Sequence, residues 1–415
     1  MSADLTLAVI GAGPVGLALA LQAARALPTA QVTVFDARPA DKDVSGDPRT
    51  LALSLGSIQL LQRLGAWQAE KAEAILEVHV SQQPPSGLPM TGLLPPFLQR
   101  RLESPELSIR AIDEGVPQLG AVLSYGNLVA PLQQAWLDAE RVEPARLHSR
   151  FGTPVAALKN LERAVEVDAG IAERFDLAVV AEGGVFADAQ RALPSLQPRP
   201  SLRHDYRQTA WVGQVAFEPG AAPGGTGAGV AFERFTRHGP AALLPLKDGK
   251  AALVWCVPTD DDPVRELNDA QRVAVLNTIF HPAVGRIASM TPLKAFPLGL
   301  NAERTLTDGR TVRIGNAAQT LHPVAGQGLN LGLRDAFELV RALARNADVD
   351  AVLRRLEWQR APDRWGMIIA TDFLARSFTW KLPGAGAARG LGIAALQALG
   401  PVKSAIARQM MFGSR

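Results

Sequence analysis

The chain has 415 residues, 47% of them hydrophobic, enough for two or three domains with sizeable cores. Its 43 Lys and Arg barely exceed its 40 Asp and Glu, so the total charge carries no nucleic-acid footprint. A single cysteine, Cys256, excludes an internal disulfide and a cysteine-based cluster, and the six histidines lack metal-ligand spacing, so no metal is expected.

Leu5 to Ile10 reads as a buried strand, followed by Gly11-Ala12-Gly13-Pro14-Val15-Gly16 and an alanine-leucine helix through Ala26. A second strand, Gln31 to Phe35, ends at Asp36, twenty residues past the third glycine (36 minus 16). That spacing predicts a dinucleotide site, with Gly11, Ala12, Gly13 and Gly16 cradling a pyrophosphate and Asp36 meeting ribose hydroxyls. A glycine turn that binds nothing is the competing reading, and the strands and acid in register weigh against it. The fingerprint does not separate NAD from FAD. Because the stretch lacks a basic leader and its glycines fall at the turn, it reads as strand, loop and helix rather than a signal or membrane segment. Cytoplasmic residence is the expectation.

Further on, Arg49-Thr50-Leu51-Ala52-Leu53 follows a polar linker, and Gln62 to Trp67 closes a helix. An apolar strand, Leu177 to Val180, leads into Ala181-Glu182-Gly183-Gly184. Leu202 to Gly299 alternates as strands, with turns at Pro219 to Gly229, Lys247 to Gly249 and Pro258 to Pro263, and a helix at Gln271 to Ile279. After a strand from Thr311 to Ile314 comes a glycine-bearing loop from Gly315, then a helix with Leu333, Phe337, Val340 and Ala344 on one face. The N–H groups of Gln327, Gly328 and Leu329 would project from the positive end of that helix, suited to an anion or an electron-rich ring edge.

Taken together, the N-terminal fingerprint, the Arg49 to Leu53 segment and the run Gly315 to Asp335 resemble the flavoprotein aromatic hydroxylases of the glutathione-reductase-like FAD fold. His322-Pro323-Val324-Ala325-Gly326-Gln327-Gly328-Leu329-Asn330-Leu331-Gly332 resembles the signature of the ubiquinone-biosynthesis hydroxylases within that family. Asn316, Phe232-Glu233-Arg234-Phe235-Thr236-Arg237-His238-Gly239-Pro240 and Leu253-Val254-Trp255-Cys256 point to its branch acting on a prenylated methoxyphenol. The resemblance implies an α/β protein: a Rossmann-type FAD domain (1–74, 105–194 and 301–362), an inserted, mainly antiparallel sheet for substrate (75–104 and 195–300) and a C-terminal helical segment (363–415). It implies FAD as cofactor, reduced by NAD(P)H or a protein electron donor, and hydroxylation of a phenol by O₂ through a flavin C4a-hydroperoxide. Two positions depart from the wider pattern. Glu182 replaces an aspartate, and Asn316 replaces an aspartate beside the FAD, giving an amide that bonds without charge.

The resemblance also assigns roles. FAD contacts fall on Arg49, Asn316, Gly326, Gln327, Gly328, Leu329 and Asn330 as well as the N-terminal glycines and Asp36, with the Gly326 to Leu329 backbone stabilising charge at the flavin edge. His322 and His238 are candidate acid or base groups, although His322 also reads as a loop cap and His238 as a surface turn residue. Gly239, Pro240, Trp255 and Pro323 are candidates for the substrate wall. Ala241 to Leu246 and Ala251 to Trp255 would line a pocket for a prenyl tail or serve as plain core. The tail from Phe373 carries Arg376, Lys381, Arg389, Lys403, Arg408 and Arg415 with no acid, and Ile393, Leu396, Leu399, Val402, Ile406 and Met410 recur at helical spacing, with Pro401 as a break. It reads equally as a peripheral contact with the inner membrane face or a biosynthetic complex and as helices closing the FAD domain.

Overall fold

Strand Thr6–Ile10 carries four fully buried residues in a row and lies between two parallel neighbours, as an interior strand of an α/β sheet must. The computed structural model of the protein describes residues 5–83, 105–183, 200–218, 229–280, 282–323, 326–377 and 385–413. Six strands form the first sheet in the order Thr307–Asp308, Thr311–Arg313, Leu177–Val180, Thr6–Ile10, Gln31–Asp36, Leu147–Phe151. All pair in parallel except the first two. Helices Pro14–Ala26, Tyr125–Val142 and Gln327–Leu343 bury their apolar faces with this sheet in one large core containing Leu17, Leu21, Trp136, Leu333 and Val340.

The second large sheet is mainly antiparallel and is built round Ser201–Phe217, which pairs with both Lys250–Pro258 and Lys294–Glu303. Pro240–Leu246 and Val230–Phe235 continue it, and Glu77–Gln82 joins Val230–Phe235 in its single parallel pairing. Strand Glu106–Arg110, expected in the FAD domain from residue 105, instead pairs with Glu77–Gln82 and extends this sheet. Helix Asp269–Ile279 covers one face; its start is fixed by a capping box between Asn268 and Gln271. Leu276 packs with Phe232, Leu243, Leu253 and Trp255. The opposite face turns to the nucleotide domain, where Ala231 joins a cluster with Leu55, Val122 and Met411. This is the glutathione-reductase-like FAD architecture with an inserted sheet and a helical tail.

The tail is part of the fold. The long helix Val349–Ser377 is fastened to Gln327–Leu343 by buried ion pairs, Arg360 Nε to Asp335 Oδ1 at 2.8 Å and Arg334 to Asp363 at 3.4 Å, and Arg360 also pairs with Asp363 within the long helix at 2.8 Å. Beyond it, Ala385–Ala398 and Gly400–Phe412 meet at a bend of 95°, just before Pro401 as expected. Gln409 donates to Asp363, and Arg334 donates to the Met410 carbonyl. Lys403 and Arg408, expected to face lipid or a partner, donate to the carbonyls of Ser108 and Glu114, and Arg389 to that of Ser377. Lys381 and Arg415 lie outside the described residues. No single described helix is long and apolar enough to cross a membrane.

Candidate active site

The three N-terminal glycines have different physical reasons. Gly11 has φ +104°, and a Cβ there would stand 2.8 Å from the Glu182 nitrogen. At Gly16 a Cβ would fall 1.9 Å from the Gly11 carbonyl oxygen. These two are required by the turn itself. Gly13 has φ −80° and ψ −177°, open to any residue, and a Cβ there would come within 4 Å of nothing but the Tyr125 hydroxyl, at 3.8 Å, among the described residues. The space above Gly13 is therefore free of protein, as a pyrophosphate lying against the backbone requires. The donor set fits a dinucleotide.

Asp36 ends its strand beside this space. Its Oδ2 accepts the Ala12 N–H at 2.5 Å and its Oδ1 the Arg38 N–H at 2.8 Å, and Arg38 Nη2 donates back to the Ala12 carbonyl at 2.9 Å. The carboxylate thus braces the glycine turn and keeps lone pairs for ribose hydroxyls. Glu182 adjoins the same turn; burial first, and the charge of Asp36 second, push its carboxyl above the ordinary glutamate range.

From the far end of the chain, the second glycine loop closes on the first. Gly332 brings its helix so close that a Cβ would stand 2.7 Å from Gly315 Cα and 2.9 Å from Val15 Cγ2. Gly326, at φ +58°, starts the helix Gln327–Leu343, and no side chain caps its first turn. Its positive end carries Gln327, Gly328 and Leu329 in the first turn. Asn316 is exposed, with its Oδ1 beside Gly328. Arg49 pairs side-on with Asp47, Nη2 to Oδ2 at 2.8 Å, and its guanidinium lies over the Tyr125 ring at 4.1 Å. Since the Tyr125 hydroxyl overlooks Gly13, Arg49 stands at the mouth of the same space. Motifs nearly three hundred residues apart in sequence (315 minus 16) pack directly against each other, Gly315 and Gly332 against Val15.

Four expected site residues have other roles. Asn330 is buried, and its amide is spent within the protein: Oδ1 accepts from Ser54 N and Ser57 Oγ, both at 2.8 Å, and Nδ2 donates to the Ala52 and Gly326 carbonyls. It locks the glycine loop to strand Thr50–Ser54. His322, offered as an acid or base, is buried, with Nε2 2.9 Å from Gln208 Oε1 and its ring edge-on to Tyr206. Burial holds its pKa down at about 3, so it stays neutral and serves to join loop and sheet. His238 accepts a bond from Arg237 Nε at 2.9 Å in the turn before Gly239, and burial and Arg237 lower its pKa. Trp255, expected on the substrate wall, is 3% exposed and packs toward helix Asp269–Ile279, away from the nucleotide domain.

Gly239 is a buried turn residue at φ +145°, where a Cβ would meet the Cys256 carbonyl oxygen at 2.6 Å, and Pro240 begins the next strand, buried opposite Phe235. Pro323 is half-buried; Val324 and Ala325 lie outside the described residues. Cys256 is buried with Ala210 and Leu298, as a small hydrophobe. Tyr125, Arg38 and Gln208 stand outside the motifs that mark the site in the sequence. Arg38 is legible there, two residues past the strand-ending acid; Tyr125 and Gln208 acquire their places only through tertiary contacts.

Comparison with known proteins agrees with this geometry. A family profile described as an FAD binding domain matches residues 203–367. The ubiquinone hydroxylase UbiL of Rhodospirillum rubrum is 29% identical over 97% of this chain and 88% of its own length. The 3-demethoxyubiquinol 3-hydroxylase of Escherichia coli is 30% identical over 96% of this chain and 96% of its own. Klebsiella pneumoniae HpxO, solved with FAD and uric acid, superposes with a TM-score of 0.70 at 17% identity, over 100% of this chain and 98% of its own, a likeness of fold.

Proposed function

The chain belongs to the FAD-dependent hydroxylases of ubiquinone biosynthesis, and from that premise we propose that it hydroxylates a polyprenylated methoxyphenol, as a 2-octaprenyl-6-methoxyphenol hydroxylase does. The observation that carries the cofactor is the position over Gly13, left open by protein, in a turn braced by Asp36 and packed against the second glycine loop. Gly11, Ala12, Gly13 and Gly16 would hold the pyrophosphate, Asp36 the ribose, and the Gly326 to Leu329 backbone the electron-rich edge of the ring system. When bound and reduced, FAD supplies the activation of O₂ that aromatic hydroxylation needs. NAD(P)H is the reductant typical of the family, and the protein's task is to bind, orient and keep the reacting groups dry.

The face of the large sheet turned to the nucleotide domain favours an apolar phenol. Ala210, Val212, Val254, Cys256 and Leu298 cluster there, and each methylene of a prenyl tail buried against such a surface contributes about 0.8 kcal/mol. A tail of that kind resides in a membrane, so we place the enzyme in the cytoplasm, peripheral to the inner face. Leu391, Leu399, Val402 and Ile406, exposed on the two C-terminal helices, are the surface suited to that contact, whereas Arg389, Lys403 and Arg408 are engaged within the chain.

Quinone-intermediate profiling tests this reading. A strain lacking the enzyme should accumulate an unhydroxylated prenylated methoxyphenol and regain ubiquinone when the protein is restored. Normal ubiquinone in the deletion strain, or accumulation of an intermediate already hydroxylated at that step, overturns it.

A further inference from the structure

Glu233 is the one acid on a stretch of sheet whose neighbours are apolar. It stands in strand Val230–Phe235, opposite Ala242 on one side and Val80 on the other. Alternation along the strand fixes its direction. Phe232 packs with Leu276 of helix Asp269–Ile279, and Arg234 Nε donates to the Ile279 carbonyl at that helix's end, so both point to the helix side. Glu233 points the other way, as does Ala231, which meets Leu55 and Val122 of the nucleotide domain. Toward the other end of the same face, Gln208 reaches His322 of the glycine loop. Glu233 therefore lies on the wall between the sheet and the cofactor loops.

Paired with Ala242 and Val80, it has one polar side chain diagonally beside it on this face, the buried amide of Gln82, and no bond to it among the described residues. Glu233 has no hydrogen bond or ion pair among the described residues; Cys256, the ionisable side chain that feels its charge, is a buried thiol. Protein packs round the carboxyl closely enough to push its pKa up to about 7, while the residue keeps contact with solvent. An unpartnered carboxyl in such a place costs free energy until something donates to it.

We propose that Glu233 is a substrate-binding residue whose carboxylate accepts the hydrogen bond of the substrate's ring hydroxyl, and so selects a free phenol over the corresponding ether. The inference deepens the proposed function and rests on it for the substrate class. A donor is what the carboxylate lacks, and a phenol is an apolar ring carrying one, whereas an ether would leave the carboxylate buried and unsatisfied. Sites built to bond a ligand hydroxyl reject analogues lacking it far more strongly than apolar pockets reject an extra methylene.

The test uses the full-length, FAD-loaded protein titrated with 2-prenylphenol and with its O-methyl ether, followed by perturbation of the flavin absorbance. Wild type should bind the phenol at least tenfold more tightly than the ether. Glu233→Leu should bind the two alike, and Glu233→Gln, which keeps an acceptor oxygen, should retain part of the preference. Flavin content should be unchanged, and the melting temperature of Glu233→Leu should not fall, because the substitution removes an uncompensated carboxyl. Full preference for the phenol in both variants overturns the inference and leaves the proposed function standing. A wild type that binds neither compound overturns both. A lowered melting temperature with the phenol preference intact assigns Glu233 to structure and also overturns it.

Discussion

Gly13 and Gly16 stand three residues apart and carry opposite expectations. Because the backbone at Gly13 suits any residue and the space beyond it is empty of protein, Gly13→Val should fold with an unchanged apo melting temperature and lose FAD. Gly16→Ala should destabilise the apo protein as well, since its Cβ would collide with the Gly11 carbonyl oxygen at 1.9 Å. Thermal melting of apo protein alongside flavin absorbance after reconstitution separates the two; full flavin stoichiometry in folded Gly13→Val contradicts the placement of the pyrophosphate. At this scale the sequence spoke clearly where chemistry depends on local backbone, as at Gly11, Gly13, Gly16 and Asp36. It is mute for Tyr125, whose hydroxyl overlooks Gly13 only because helix Tyr125–Val142 packs beside the first helix, misleading for Trp255, and open between two roles for His322. An aromatic ring or an imidazole has the same symbol in a core as in a pocket, and register and burial decide which it is.

Among the elements, the junction of helices Gln327–Leu343 and Val349–Ser377 depends on Asp363. It is fully buried on its side chain, pairs with Arg334 and Arg360 and accepts from Gln409 of the last helix. Removing one partner from a buried ionic cluster leaves the others uncompensated, typically at a cost of about 3–5 kcal/mol. Asp363→Leu should therefore lower the urea-unfolding free energy by that order, and Gln409→Ala, which removes a single donor, by about 1–3 kcal/mol at most. A change below 1 kcal/mol in Asp363→Leu would show that this junction does not hold the helices. The sequence reading found the helical stripe and the break at Pro401 but left the tail's role open. Spacing alone puts Ile393, Leu399, Val402, Ile406 and Met410 on one face, yet the two helices meet at 95° and bury Ile393, Ala407 and Met411 while leaving Leu399, Val402 and Ile406 exposed. Charge counting points the cations to an outside partner, whereas Arg376, Arg389, Lys403 and Arg408 find carbonyls or carboxylates of this chain.

Across the whole molecule, the cofactor domain was legible because two glycine loops, each demanding a special backbone, bracket the chain. The substrate sheet was legible as alternating strands, but its division into a helix-side core and a flavin-side wall required the pairing of Val230–Phe235 between Pro240–Leu246 and Glu77–Gln82. A boundary at residue 105 failed for the same reason, since Glu106–Arg110 is added to the sheet by a strand met earlier in the chain. The assembled molecule sets the glycine loops of the nucleotide domain against a largely apolar face of the large sheet that bears Glu233, where the proposed phenol hydroxylation would take place. The most direct test is hydroxylation of a prenylated methoxyphenol by the purified FAD-loaded protein with NAD(P)H under ¹⁸O₂, read by mass spectrometry. The account predicts a ring-hydroxylated product carrying one ¹⁸O atom, formed only when substrate, reductant and bound FAD are all present. Product oxygen drawn from water, or reductant consumption without any hydroxylated phenol, would contradict it.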